Sequence, residues 1–129
     1  MTFTLMLNLP RDGEHVSTLR DVVGIALGGH DAPADTISDL QLAIAEAAGN
    51  VIRHADGTDD YSVQVVIERR SCQISVVDDG PGLGPGDEQS LTERMLEEGG
   101  RGVGIMRALT DELHFEQDGV TKVKFVKSW

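Results

Sequence analysis

Basic residues are scarce in this chain: 11 lysines and arginines stand against 22 aspartates and glutamates, a formal net charge of −11. An electrostatic nucleic-acid binder needs a basic face, so that class is excluded; the acidity favours a basic partner or simply solubility. Cysteine occurs once, at Cys72, so neither an internal disulfide nor a cysteine-built metal site can form. No apolar run has the length of a membrane span. The first residues, Met1 to Leu9, are apolar but alternate with polar ones and carry neither a basic leader nor a small-residue cleavage site. They read as a strand and not as a signal peptide, which makes the cytoplasm the expected location. The motifs of several enzyme classes are also missing. There is no Gly-x-x-x-x-Gly-Lys-[Ser/Thr] P-loop, no Gly-x-Gly-x-x-Gly fingerprint, no tightly spaced pair of histidines with a carboxylate, and no Gly-x-Ser-x-Gly elbow.

What remains is a globular composition. At 129 residues, 40% hydrophobic and 26% charged, the chain suits one domain over residues 1–129 with a real core. Phe3, Leu5, Leu7 and Leu9 alternate, predicting a first strand that Pro10 ends. Val16, Leu19, Val22, Val23 and Ala26 recur at helical spacing, predicting a helix from about Gly13 to Leu27, stopped by Gly28-Gly29. Pro33 suits the first turn of a second helix, whose apolar stripe is Ile37, Leu40, Ile44, Ala47, Ala48 and Val51. Strands follow at Tyr61 to Glu68 and Cys72 to Val77. A helix is predicted over Ile105 to Leu113, then strands at Leu113 to Gln117 and Val120 to Val126 around an Asp118-Gly119 turn. The order β-α-α-β-β-loop-α-β-β lacks regular β-α alternation. It predicts an α+β, two-layer α/β sandwich with one mixed, mostly antiparallel sheet and helices on one face.

The second helix carries Glu46, Asn50 and His54 at four-residue intervals, which puts a carboxylate, an amide and an imidazole on one face of a buried element. Burying them costs free energy unless partners are found. Glu46 and Asn50 fit a base and a metal-ligand amide, or loop caps; His54 fits a structural histidine better than a ligand. Two glycine-rich stretches follow. Asp78 to Gly86 holds four glycines and two prolines in nine residues, with Asp78 placed to accept from an exocyclic amine or to cap a turn. Gly99-Gly100-Arg101-Gly102-Val103-Gly104 precedes a helix, where backbone N–H groups can cradle phosphate or the glycines can merely loosen a loop.

Taken in order, Glu46-x-x-x-Asn50-x-x-x-His54, Asp78-x-Gly80-x-Gly82 and Gly102-x-Gly104 resemble the N, G1 and G2 boxes of Bergerat-fold (GHKL, HATPase_c) ATPases, over about residues 35 to 126. The stretch Glu98 to Ile105 and the helix end Leu109-Thr110-Asp111-Glu112 look like the anti-sigma-factor serine/threonine kinases of bacterial partner-switching systems. The resemblance implies ATP and Mg²⁺ as cofactors. It implies Asn50 as the Mg²⁺ ligand, Glu46 as the base toward an acceptor hydroxyl, and Asp78 as acceptor of the adenine amine. Gly80 and Gly82 would let the backbone approach the base, and Thr121 would support the adenine carboxylate. Gly102, Val103 and Gly104 would present N–H groups to phosphate, an ATP lid would span about 83–101, and Arg101 or Arg94 would meet the γ-phosphate. It also implies partners: a sigma factor to sequester and a STAS-type anti-anti-sigma protein to phosphorylate, with neither nucleic acid nor membrane bound directly. A homodimer is expected, using Val16, Leu19 and the first strand. The alternatives are an ATP-binding anti-sigma module that works by binding only, and a detached sensor-kinase ATPase domain. The chain departs from the family at Gly49, where a threonine or another larger residue is more usual; glycine inside a helix costs about 1 kcal/mol relative to alanine.

Overall fold

A computed structural model describes residues 2–54, 60–78, 101–117 and 121–129. Strand β1 (Thr2–Pro10) leads through a short 3-10 turn (Gly13–His15) into helices α1 (Val16–Gly28) and α2 (Ala34–His54). Strands β2 (Asp60–Glu68) and β3 (Ser71–Asp78) follow, then helical residues 101–109 (α3), β4 (Glu112–Gln117) and β5 (Thr121–Ser128). The five strands form one sheet in the order β1-β2-β3-β5-β4. Every pairing among the described strands is antiparallel, in keeping with the mostly antiparallel sheet expected.

Period-two sequence becomes a two-sided sheet. Tyr61, Val63, Val65 and Ile67 of β2, Cys72, Ile74 and Val76 of β3, and Val123 and Phe125 of β5 are all buried. Their alternate neighbours Ser62, Gln64, Gln73 and Lys124 are only partly covered. The buried side meets α2, whose Leu40, Ala43, Ile44, Ala47, Ala48 and Val51 are fully buried. Its alanines bring the helix axis close to the sheet. Leu19, Val23 and Leu27 of α1 complete this core. Gln41 Nε2 donates to the Arg20 carbonyl at 3.0 Å and so pins α2 to α1. Lys127 Nζ donates to the Leu109 carbonyl at 2.9 Å and sits 3.6 Å from Asp39, tying β5 to both α3 and α2.

Three expectations shift. The first helix begins as a 3-10 turn capped by Asp12, whose side chain accepts from Glu14 N, and becomes α-helical only at Val16. The helix expected over Ile105 to Leu113 is already formed at 101, the first described residue there, and ends at 109, while Glu112 and Leu113 belong to β4. Its apolar residues at 103 and 106 supply the helical face that packs, while Leu113 alternates with Phe115 in the strand. Leu19 is fully buried, so it belongs to the core and offers no surface to a second copy.

Candidate functional site

Asp78 ends β3, where the sheet's buried face runs out beneath the C-terminal half of α2. Leu9, Tyr61 and Asp78 stand side by side in the strand register, and Thr121 is the register partner of Asp78 on the other side. Asp78 is 2% exposed. Its carboxylate is met by Arg11, whose Nη2 donates to Asp78 Oδ2 at 3.1 Å and to the Val51 carbonyl of α2 at 3.2 Å. Arg11 was not among the residues singled out from the sequence. No motif contains it; the signal was only that a buried aspartate at a strand end needs a counter-charge.

One turn along α2 from Glu46, Asn50 is fully buried. Its Oδ1 accepts from Arg53 Nη2 at 2.8 Å, while its Nδ2 has no hydrogen-bond partner among the described residues. Gly49 explains how Arg53 gets there. A Cβ on Gly49 would stand 3.0 Å from Arg53 Nη1 and 3.6 Å from Cζ. The missing side chain leaves the space in which the guanidinium folds back onto the amide. Gly102 serves a similar purpose from the facing helix: a Cβ there would lie 2.6 Å from Glu46 Oε2 and 3.7 Å from Asn50 Oδ1. A glycine lets α3 approach this close without displacing the Glu46 carboxylate, and Val103 and Met106 seal the contact at 1% and 0% exposure.

Glu46 and Asn50, one turn apart on α2, therefore meet Gly102 of α3, and Asp78 lies at the same end of the sheet. Arg101 and Gly104 are exposed on α3 beside buried Gly102 and Val103. Gly80, Gly82, Arg94 and most of the span 83–101 lie outside the described residues. His54 closes α2. Two open cavities of about 370 and 440 Å³ flank the Arg69-Arg70 turn at the opposite end of the sheet, and none of the residues above lines them.

The arrangement suits a polyphosphate with a hard cation. An amide oxygen is an oxygen donor of the kind Mg²⁺ takes, and the amide nitrogen of the same side chain is buried without a partner among the described residues. Gly102 holds α3 directly against these groups.

Comparison with known proteins agrees with this geometry. The profile of the histidine kinase-like ATPase domain family matches residues 9–127. The serine-protein kinase RsbW of Bacillus licheniformis is 29% identical over 130 aligned positions, covering 92% of this chain and 81% of its own. RsbW of Bacillus subtilis is 27% identical, covering 89% and 79%; that of Staphylococcus aureus is 26% identical, covering 94% and 86%. Among solved structures, the RsbU and RsbW domains of Rv1364c from Mycobacterium tuberculosis superpose with a TM-score of 0.73 at 19% identity, covering 98% of this chain and 32% of that one. The SiaB–SiaC complex of Pseudomonas aeruginosa gives 0.67 at 15% identity, covering 95% and 88%. At these identities the structural likeness concerns the fold, and it is the Bergerat fold. The chain belongs to the histidine kinase-like ATPase domain family.

Proposed function

We propose that this chain is an ATP- and Mg²⁺-dependent serine/threonine kinase that sequesters a sigma factor and phosphorylates a STAS-type anti-anti-sigma protein. The observation that carries this reading is the meeting of Glu46, Asn50 and Gly102 across α2 and α3, with Asp78 buried at the neighbouring strand end. Phosphoryl transfer asks mainly for positioning and charge neutralisation. Bound Mg·ATP supplies the transferable phosphoryl group and the divalent charge. Asn50 Oδ1, bonded to Arg53 here, would hold the metal. Asp78 and Thr121 would read the adenine, Gly80 and Gly82 of the same motif would let the backbone approach the base, and Gly102, Val103 and Gly104 would offer backbone N–H groups to phosphate. Arg101, exposed on α3, contacts the γ-phosphate. Glu46 takes the proton of the acceptor hydroxyl or orients that hydroxyl for attack.

The relatives named serine-protein kinase RsbW support the kinase class. The acidic surface supports a basic partner face, as a sigma factor would present. The assembly proposed is a homodimer in the cytoplasm, with Leu19 excluded from its interface. No helix among the described residues is long and apolar enough to cross a membrane.

The test is transfer of labelled phosphate from Mg-ATP to STAS proteins encoded nearby. A phosphorylated serine or threonine with wild type, lost in Glu46→Ala, is expected. An unmodified partner after prolonged incubation, with both forms indistinguishable, removes the kinase. One observation favours a second reading, a module that binds nucleotide and sigma factor without transfer: Arg53 already holds the oxygen assigned to the metal. Calorimetric ATP binding and a stable sigma complex, without turnover, would select it. A detached sensor-kinase domain would instead phosphorylate a separate histidine protein.

A further inference from the structure

We infer that Arg11 is a positioning residue that sets nucleobase specificity, by holding the Asp78 carboxylate as a fixed acceptor for an exocyclic amine. The inference rests on the nucleotide reading of the site. Arg11 lies just beyond β1, where Asp12 N donates to the Pro10 carbonyl at 2.9 Å and turns the chain. From there it reaches past Tyr61, which separates β1 from β3 in the register, to a partner 67 residues away. A single nitrogen, Nη2, serves both Asp78 Oδ2 and the Val51 carbonyl. The guanidinium is thus anchored to α2 as well as to the carboxylate it holds.

The pair is deeply set, with side-chain exposures of 15% for Arg11 and 3% for Asp78. A carboxylate at that depth is costly without a counter-charge, and a guanidinium supplies one permanently. Holding one oxygen also stops rotation about the Cβ–Cγ bond. The carboxylate plane is then fixed relative to the base-binding end of the sheet. An ionised carboxylate only accepts hydrogen bonds. It favours a base with an amine at this position and repels one with a carbonyl oxygen. Lysine would keep the charge but not the planar fork, so it would compensate Asp78 without orienting it as well.

A purely structural role, bracing the β1 corner against α2, would predict lost stability without altered base selection. The two are separated by comparing ATP with inosine triphosphate, in which that amine is replaced by oxygen. Binding of both to the full chain is measured by calorimetry for wild type, Arg11→Lys and Arg11→Met, with thermal unfolding recorded alongside. Wild type is expected to prefer ATP, and both variants to lose between about 10- and 100-fold in ATP affinity, the worth of a hydrogen bond to a charged group. Inosine triphosphate affinity should stay nearly unchanged, so the preference narrows. Arg11→Lys keeps the charge and is decisive where Arg11→Met folds poorly. An unchanged preference in Arg11→Lys, with wild type discriminating, overturns the inference while leaving the nucleotide reading intact. So does tighter ATP binding in the variants, which would make Arg11 a plug. Failure of wild type to bind either nucleotide defeats the nucleotide reading itself, and this inference with it.

Discussion

Gly102 shows how much of this site depends on one missing methyl group. Adding a Cβ would put it 2.6 Å from Glu46 Oε2, closer than real Cβ atoms come to an oxygen. The half-buried Glu46 carboxylate is the movable partner, since it ends a flexible side chain. Gly102→Ala should therefore fold, with stability changed by less than about 1 kcal/mol, but with Glu46 turned away from its working position. Loss of a positioned base costs about 100-fold or more, so phosphotransfer by Gly102→Ala should fall toward that of Glu46→Ala while the unfolding midpoint barely moves. An equal drop in both quantities would mean that α3 itself has been displaced. At this scale the sequence was legible in the placement of residues inside spaced motifs: Glu46 and Asn50 on one helix face, with Gly102 against them and Asp78 at a strand end. It was silent on Arg11 and Arg53, because each acquires its role only through a neighbour: a carboxylate 67 residues away for one, an absent side chain at Gly49 for the other.

Helix α2 carries both sides of that lesson. Its buried stripe of Leu40, Ile44, Ala47, Ala48 and Val51 follows from 3.6-residue periodicity, and all five residues are fully buried. Gly49 is the exception, a weak helix former in the interior of a 21-residue helix. Two effects oppose each other in Gly49→Ala. Helix propensity favours alanine by about 1 kcal/mol, while the new Cβ crowds Arg53 Nη1 at 3.0 Å. Arg53 is exposed and can swing out at little cost, so propensity wins. Chemical denaturation should show Gly49→Ala more stable by up to about 1 kcal/mol, with the Arg53–Asn50 bond given up. With Asn50 as the proposed metal ligand, less Mg²⁺ should then be needed to reach full nucleotide affinity. A destabilised variant would mean that the Arg53 contact outweighs propensity. The helix near the second glycine cluster was less legible. Residues 101–104 are helical although glycines hide this from propensity alone, and the helix end moved because Leu113 fits a helical and a strand pattern equally well.

For the whole molecule, the α+β class, the strand count and the single face bearing helices all followed from alternation in five short segments. The strand order β1-β2-β3-β5-β4 did not, since alternation says which face is buried and not which strand lies beside which. Burial of the sheet has a measurable consequence at high pH. Burial pushes the Cys72 thiol from its ordinary 9.0 up to about 12, and raises Tyr61 as well. Between those values the unfolded chain releases the Cys72 proton and the native chain keeps it, so unfolding becomes more favourable as pH rises. Full stability from this group is present below pH 9.0 and is lost progressively toward about 12. The slope from one proton is about 1.4 kcal/mol per pH unit, and Cys72→Val, which fills similar space without a proton to lose, should remove that share. Urea titrations at stepped alkaline pH would read it, and identical slopes in the two forms would locate the alkaline sensitivity elsewhere.

The arrangement of the strands also bears on how the molecule assembles in time. Only the β2–β3 and β4–β5 pairs are local; β1 must find β2 across the helical pair, with Thr2 opposite Glu68, and β3 must find β5, with Ser71 opposite Ser128. Such distant pairings carry the entropy of closing large loops and slow the search for the native state. The candidate site depends on the same distant closures, since Arg11 with Asp78 and Gly102 with Glu46 each join far parts of the chain. No local fragment can hold it. The ability to bind should therefore appear only with the last cooperative step of folding, so a ligand that fits the site acts on the lifetime of the folded chain and not on the speed with which it forms.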